Sequence, residues 1–204
     1  MISPGKFSII YADPPWTFRT WSNKGKGRSA ENHYNCLSLK DIQELPVADL
    51  AADDCALFLW ATDPLLPQAL DLMQEWGFTY KTIAFVWAKL NKNAPDTLWT
   101  DADFFTGMGY WSRANSELCL LGTKGKPQRH SASVKRLVIA PRREHSRKPD
   151  DVANRIVQLM GDVPRIELFA RTSRPGWSVW GNETKKFEDG RTGTPDKTRK
   201  GGMG

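Results

Sequence analysis

The stretch FSIIYADPPW, residues 7–16, decides the fold, because an apolar β-branched run stops at an aspartate and two prolines. Continuous apolar runs of this length are typical of strands that are buried on both faces of a sheet. Proline has a fixed φ and no backbone N–H, so Pro14 and Pro15 end the strand. We therefore expect a buried strand over 7–13 that places Asp13 at the edge of a sheet.

The rest of the chain alternates between strand and helix patterns, which is typical of an α/β fold. Six further stretches have the apolar pattern of strands: ALFLWAT (56–62), TIAFVWAK (82–89), ELCLLGTKG (117–125), RLVIAP (136–141), RIELFAR (165–171) and WSVWGN (177–182). Three stretches have helical periodicity: SLKDIQEL (38–45), PLLPQALDLMQEWG (64–77) and KPDDVANRIVQLMG (148–161). The last has a proline and two aspartates at its start and a glycine at its end, which are residue types that are common at helix termini.

Length and composition favour one domain, since the 204 residues are 40% hydrophobic. We assign residues 1–183 to this domain and predict that 184–204, rich in Gly, Lys and Thr, form a disordered basic tail. The three cysteines form no C-x-x-C pair, which argues against a zinc site or a disulfide framework. Without a signal segment or a bilayer-length apolar run, we expect a cytoplasmic protein that binds neither metal nor membrane.

The charge favours a polyanionic partner, with 29 basic residues against 23 acidic ones. Nine of the basic residues lie between 124 and 148, where Glu144 is the only acid, and four more lie between 19 and 28. A solvated face explains any single lysine equally well. Two clusters beside glycines and aromatics favour nucleic acid.

Two long segments, 17–35 and 91–115, fit neither the strand nor the helix pattern. Connections of this length in a small domain are usually functional or disordered. Both segments contain aromatic residues, which offer apolar surface for docking or for stacking a ligand. We therefore expect them to contact the substrate.

The corner after the first strand can accept hydrogen bonds but has few donors of its own. The Asp13 carboxylate and the Pro14 carbonyl would suit a planar amine that donates both hydrogens, such as the 6-amino group of adenine. Preorganised acceptors at this position would stabilise charge that develops on the amine nitrogen during its alkylation. The alternative is that Asp-Pro-Pro only ends the strand.

Several motifs in a fixed order resemble the DPPW class of adenine-amino methyltransferases. They are ADPPW, HYNCLSLKDIQELPV, LFLWAT, FVWAKLN, GYWSRANSELCLLGTKGKPQR, HSRKPD, IELFAR and GWSVWGNE, and together they cover residues 7–183. The LFAR and WGNE endings are similar to the bacterial and phage branch of this class. The resemblance implies a single Rossmann-like domain, with a mixed, mostly parallel sheet, helices on both faces, and S-adenosylmethionine as methyl donor.

The resemblance also implies roles for individual residues. Asp13 and Pro14 would hold the target amine, while Pro15 and Trp16 shape the pocket. The target base would face Tyr34, Lys89 and Glu117 as well as Trp16. The cofactor would contact Asp13, Ser146, Lys148, Arg171, Ser173, Asn182 and Glu183, with Ser146 and Lys148 near the methionine carboxylate.

Some of these roles have competing interpretations. Tyr34 could pack its own loop, and Glu183 alone could be a surface charge. Glu167, inside an apolar strand, needs either a structural partner such as Arg171 or a cofactor contact. The chain also departs from eukaryotic members, which have a glycine at Ala170 and a His-Asn pair at Ser173 and Arg174.

The function that follows is S-adenosylmethionine-dependent methylation of the 6-amino group of adenine in DNA, by a monomer or homodimer. An extruded or single-stranded base would have to reach Asp13. The same chemistry on RNA is the first alternative, since no separate DNA-recognition domain is evident. A non-catalytic nucleic-acid-binding partner subunit is the second.

Overall fold

The computed structural model describes residues 6–16, 38–109, 111–144 and 147–181. Within these ranges the strands are β1 Phe7–Ala12, β2 Ala51–Ala61, β3 Thr79–Leu90, β4 Ser116–Lys124, β5 Leu137–Pro141, β6 Arg165–Leu168 and β7 Ser178–Trp180. The α-helices are α1 Leu39–Gln43, α2 Val47–Leu50, α3 Leu66–Glu75 and α4 Asp150–Met160, with short 3-10 turns at Asp63–Leu65 and Asp101–Asp103. All seven predicted strands and all three predicted helices are confirmed.

The strands form one sheet in the order β5-β3-β4-β2-β1-β6-β7. Strand β4 is antiparallel to both of its neighbours, β2 and β3, and every other pair of neighbours is parallel. The prediction of a mixed, mostly parallel sheet is therefore confirmed. Six strands end at the same edge of the sheet, and β4 begins there.

Helices cover both faces of the sheet, as predicted. On β1, Ile10 and Ala12 face a core that contains residues of α1, α2 and α3. Ile9 and Tyr11, which alternate with them, face a second core that contains Val152, Ala153 and Ile156 of α4. This explains the continuous apolar run of β1, because a strand with a core on each side has no polar face.

Helix α4 begins and ends with the residue types that its sequence predicts for helix termini. Pro149 is the N-cap of α4, Asp150 and Asp151 occupy its first turn, and Gly161 ends it with φ +89° and ψ 176°. Acidic residues in the first turn are favourable because the free N–H groups there carry partial positive charge. Residues 147 and 148 lie immediately before the N-cap of α4, so the position of the helix also determines where they lie.

The 91–115 segment joins β3 to β4 without an α-helix or a strand in its described residues. Its base is tied to β3, because the Lys89 N–H donates to the Asn115 carbonyl and the Phe105 N–H donates to the Lys89 carbonyl. Leu98 and Trp111 are almost completely exposed. The other predicted segment, 17–35, and the predicted tail, 184–204, lie outside the described residues.

Candidate active site

A charged pocket opens at the edge where the parallel strands end. Its lining comes from the end of β1, the segment before α4, and β6 with the turn that follows it: Tyr11, Asp13, Arg147, Lys148, Glu167, Phe169, Arg171, Thr172 and Arg174. This is the edge of an open α/β sheet at which ligands bind. Asp13 and Phe169 are neighbours there because Ala12 pairs with Leu168 in the β1–β6 register.

Asp13 is held by a lysine that is distant in sequence. The Lys148 Nζ donates to Asp13 Oδ1 at 2.9 Å and to Oδ2 at 3.0 Å. Lys148 immediately precedes Pro149, the N-cap of α4, so it stands before the helix rather than within it. The corner predicted to be poor in donors therefore receives a strong donor from another part of the chain.

Lys148 is the second member of a row of four alternating charges. The Lys148 Nζ lies 3.2 Å from Glu117 Oε2, and the Lys89 Nζ donates to Glu117 Oε1 at 2.7 Å. We call Asp13, Lys148, Glu117 and Lys89 the charge chain. Glu117 joins it because β4 begins at the site edge, where Glu117 pairs with Trp87 of β3.

Two tryptophan rings lie beneath the lysines of the charge chain. The Lys148 Nζ is 5.4 Å from the centroid of the Trp60 ring, and the Lys89 Nζ is 5.3 Å from that of Trp87. An ammonium near an aromatic ring is attracted by the ring quadrupole, worth about 0.5–2 kcal/mol. The Trp60 Nε1 donates to the buried Tyr11 hydroxyl at 2.7 Å. The rings therefore limit where each ammonium can lie.

Burial and charge act in opposite directions within the charge chain. Burial alone would raise the pKa of Glu117, but Lys148 and Lys89 outweigh it, and the pKa lies below its usual value. Burial alone would lower the pKa of Lys148, but Asp13 and Glu117 outweigh it, and the pKa is raised. Both groups are therefore ionised at neutral pH.

The corner after β1 keeps unused acceptor positions, although Pro14 is buried and the corner is less open than the sequence indicates. The Trp16 N–H donates to the Pro14 carbonyl at 2.8 Å. A carbonyl has two lone pairs, and a carboxylate has about four acceptor positions, so Pro14 and Asp13 can each accept one more hydrogen. Pro15 is half-buried beside them.

Trp16 is predicted to shape the pocket and contact the base, and the structure places its ring in the core. It is 6% exposed and packs in the cluster on the α1–α3 side of the sheet. Its Nε1 donates to the Trp60 carbonyl at 3.0 Å. Trp16 therefore lies beside the corner without lining the pocket, and it braces the backbone of β2 beneath Lys148.

A second charged network lies on the β6 side of the pocket. Arg174 donates to Glu167 Oε2 at 2.9 Å and to Asp150 Oδ1 at 2.7 Å, and Arg143 donates to Asp150 Oδ2 at 2.5 Å. The structural partner that Glu167 was expected to need is thus provided by Arg174.

Burial and charge also act in opposite directions on the two carboxylates of this network, Glu167 and Asp150. Burial raises its pKa above the usual value, and Arg174 offsets only part of the effect. For Asp150, burial also favours the neutral form, but Arg143 and Arg174 outweigh it and lower the pKa. Two acids that share Arg174 therefore differ in their tendency to ionise.

Phe169 lines the pocket with an uncommon backbone conformation. Its φ is +60°, in the left-handed region that bulky side chains rarely adopt. Its ring packs against that of Trp180, with centroids 5.4 Å apart, and the following N–H, of Ala170, donates to the Trp180 carbonyl. Strain of this kind is often found at functional sites, where the surrounding structure maintains it.

The structure brings together some of the predicted residues and separates others. Asp13, Lys148 and Arg171 line the same pocket, and Glu117 and Lys89 join it through the charge chain. Ser173 is exposed and lies outside the lining, between Thr172 and Arg174, which are part of it. Tyr34, Ser146, Asn182 and Glu183 lie outside the described residues.

Five lining residues were not predicted as site residues: Tyr11, Arg147, Phe169, Thr172 and Arg174. The position of Arg147 beside Lys148 in HSRKPD, and of Tyr11 in the strand that ends at Asp13, could have indicated them. Nothing local in the sequence signals the conformation of Phe169.

Two other classes of feature were sought among the described residues. No group of three or more His, Cys, Asp and Glu side chains there could hold a metal ion. None of the helices in those ranges is long and apolar enough to cross a membrane.

Comparison with known proteins gives one consistent family. The MT-A70 family matches residues 7–183. The Type II methyltransferase M.MunI from Mycoplasma sp. is 35% identical over 195 residues, which cover 87% of this chain and 78% of that protein. The catalytic subunit METTL3 of the Homo sapiens N(6)-adenosine-methyltransferase is 30% identical over 183 residues, covering 88% of this chain.

The Arabidopsis thaliana N(6)-adenosine-methyltransferase MT-A70-like is 29% identical over 183 residues. The chain spans only 28% of human METTL3 and 24% of the Arabidopsis protein, so it corresponds to one part of each. The match to the family nevertheless extends from β1 to beyond β7 and includes every element of the sheet. The chain therefore belongs to the MT-A70 family of methyltransferases.

Proposed function

We propose that the protein transfers a methyl group from S-adenosylmethionine to the 6-amino group of adenine in DNA. The observation that carries the proposal is the position of Asp13, at the end of β1, in a pocket shared with Lys148, Arg171 and Glu167. Similarity to N(6)-adenosine-methyltransferases supports the 6-amino group as target. Similarity to a Type II methyltransferase, covering most of that relative, favours DNA.

The lining of the pocket fits the cofactor chemically. S-adenosylmethionine carries a carboxylate, an ammonium group and ribose hydroxyls, and the lining offers both cations and carboxylates. Lys148 and Arg171 would hold the carboxylate and the ribose end, respectively, and Ser146, Ser173, Asn182 and Glu183 would complete the contacts. When bound, the cofactor supplies the electrophilic methyl group.

The residues of the chain would orient the amine. Asp13 and the Pro14 carbonyl each have an acceptor position left, so each can take one hydrogen of a planar amine. Holding both hydrogens directs the nitrogen lone pair out of the base plane, which is the orientation that attack requires. Negative charge on Asp13 then stabilises the positive charge that develops on nitrogen. Lys148 keeps Asp13 in place during this step.

RNA is the second candidate substrate, because several relatives are named as N(6)-adenosine-methyltransferases and adenosine is the ribonucleoside. Methylation assays on DNA and RNA oligonucleotides of matched sequence, each single-stranded and duplex, test the proposal. We expect transfer to DNA that exceeds transfer to RNA. Transfer to RNA alone would overturn the DNA assignment, and failure to bind S-adenosylmethionine in calorimetry would favour a non-catalytic partner subunit.

We further propose that residues 1–183 make up the methyltransferase domain and that 184–204 are a basic tail outside it. The extent of the family match, 7–183, supports this division. The protein would act as a monomer or a homodimer, which sedimentation of the purified chain would distinguish.

A further inference from the structure

Lys89 lies at the end of the charge chain that is farthest from Asp13. We infer that Lys89 is a positioning residue, which acts on Asp13 through Glu117 and Lys148 rather than by touching the substrate. The inference rests on the proposed function and assigns Lys89 a different role from the substrate contact that the sequence predicts.

The position of Lys89 is fixed on three sides. Its backbone N–H and carbonyl are hydrogen-bonded to Asn115, at the end of the 91–115 connection, and to Phe105, near its middle. Its side chain is 16% exposed, lies over Trp87 and donates to Glu117. A lysine fixed at the backbone, the ring and the ammonium is suited to hold a neighbour in place.

Glu117 has one lysine on each of its carboxylate oxygens. Oε1 accepts from Lys89 and Oε2 contacts Lys148, so a rotation of the carboxylate would break one pair to improve the other. If the Lys89 ammonium were removed, Glu117 could turn fully towards Lys148. Lys148 would then be drawn away from Asp13, to which it donates two hydrogen bonds.

Such a shift of Lys148 would change the position of the Asp13 carboxylate. The amine must be held in line with the methyl donor, and a misplacement of about 1 Å can slow a reaction on the order of 100-fold. Lys89 would therefore affect the catalytic rate without affecting how tightly the nucleic acid binds. If Lys89 instead contacted the substrate directly, its loss would weaken the binding of the nucleic acid and leave the catalytic rate unchanged.

The first test compares Lys89→Met with Lys89→Arg and with Lys81→Met in steady-state methylation of the oligonucleotide that the wild type prefers. Lys81 is an exposed lysine on the same strand, β3, and provides the matched control. We expect Lys89→Met to lower kcat by about 10- to 100-fold with KM within about twofold of wild type. Lys89→Arg should recover most of the rate, because it keeps the cation, and Lys81→Met should equal wild type.

A rise in KM with kcat unchanged would overturn the inference in favour of a substrate contact. Wild-type rates in Lys89→Met would overturn it as well. An inactive wild type on every oligonucleotide is a separate result, because it contradicts the proposed function.

A double-mutant cycle keeps the test valid if Lys89→Met is partly unfolded. Glu117→Gln breaks the same chain while preserving side-chain volume, and residues that act through one another are non-additive. We expect Lys89→Arg and Lys89→Met to have no further effect on kcat in the Glu117→Gln background. Additive losses would show that Lys89 acts by another route.

A third measurement requires no methylation. Carbon-detected NMR titration of the Glu117 carboxyl group should show its pKa rising in Lys89→Met, because one of two stabilising ammonium groups is lost. The charged groups around it are Lys89 on β3, Lys148 before α4, Asp13 beyond Lys148, and Arg171, which opposes the charge of Lys148. An unchanged titration would contradict the inference whatever the substrate is.

Discussion

At the scale of single residues, the site depends on how one aspartate is held. Asp13 accepts two hydrogen bonds from Lys148 and still has acceptor capacity for a substrate. The sequence identifies Asp13 from the apolar strand before it and the prolines after it. It does not reveal Lys148 as the partner of Asp13, because 135 positions separate them and only the packing of α4 brings them together.

Replacing Asp13 by alanine should abolish methyl transfer and change cofactor affinity by less than tenfold, or about 1.4 kcal/mol. The lost hydrogen bond is to the target amine, and Lys148 retains Glu117 as a partner. Radiolabelled methyl transfer and calorimetry with S-adenosylmethionine measure the two quantities. A large loss of cofactor binding would instead indicate that Asp13 mainly serves the cofactor.

Glu117 should make the folded state sensitive to acid. Although burial opposes ionisation, Lys148 and Lys89 hold its folded-state pKa below the ordinary value of 4.5, so its ionised form stabilises the fold. This contribution is present above pH 4.5 and is lost as the pH falls through the lower, folded-state pKa. Urea unfolding at a series of acidic pH values should show a shallower loss of stability in Glu117→Gln than in wild type. Equal slopes would contradict the prediction.

At the scale of elements, the seven strands could be predicted because most are continuous apolar runs. Their ends could not: β2 begins at Ala51 rather than at residue 56, because its first residues include the exposed Asp53 and Asp54. Helix α2 was missed because four residues are too few to show a period. In the site, the conformation of Phe169 in the turn after β6 could not be predicted either, because it depends on the contact with Trp180.

The glycine that ends α4 should be sensitive to any side chain. Gly161 has φ +89° and ψ 176°, a region open essentially to glycine alone, while an added Cβ would meet His130 only at an ordinary 3.5 Å. We therefore expect Gly161→Ala to cost about 1–3 kcal/mol from backbone strain. The measurement is urea unfolding.

Asp162→Ala provides the control for this substitution. Asp162 is the next residue, and its ion pair with Arg165 involves a side chain that is 88% exposed. Arg165, whose side chain is 10% exposed, keeps its hydrogen bond to the Val163 carbonyl when the Asp162 carboxylate is removed, so Asp162→Ala should cost less than Gly161→Ala. A larger loss in Asp162→Ala would show that the backbone of Gly161 is not the limiting feature.

At the scale of the whole molecule, the alternation of strands and helices predicted the fold class but not the strand order. The direction of β4 was implicit in the sequence, since 91–115 has no helical pattern and parallel neighbours usually need a helical crossover. The distribution of charge, in contrast, can be read directly from the sequence. Residues 184–204 contain six basic and three acidic residues, which accounts for half of the net charge of +6.

A chain that ends at Glu183 should therefore fold as stably as the full chain but bind nucleic acid more weakly. We expect the melting temperature and the affinity for S-adenosylmethionine to be unchanged, because the proposed domain is intact. Binding to DNA should weaken, and its dependence on salt concentration should become less steep, because fewer phosphates are neutralised. Thermal melts and fluorescence anisotropy at several salt concentrations test this. A lower melting temperature would show that the tail belongs to the domain.

The reversed direction of β4 has a consequence for how such a protein can change over evolution. A crossover to a parallel strand must traverse a face of the sheet, so its length and shape are constrained by the core beneath it. The connection from β3 to β4 instead leaves and returns at one edge, and it is bound to the end of β3 through Phe104, Phe105 and Asn115. The exposed stretch 95–102 can accept insertions and deletions without rebuilding a core. Related chains could thus acquire new substrates by exchanging this connection while the chemistry at Asp13 is inherited intact.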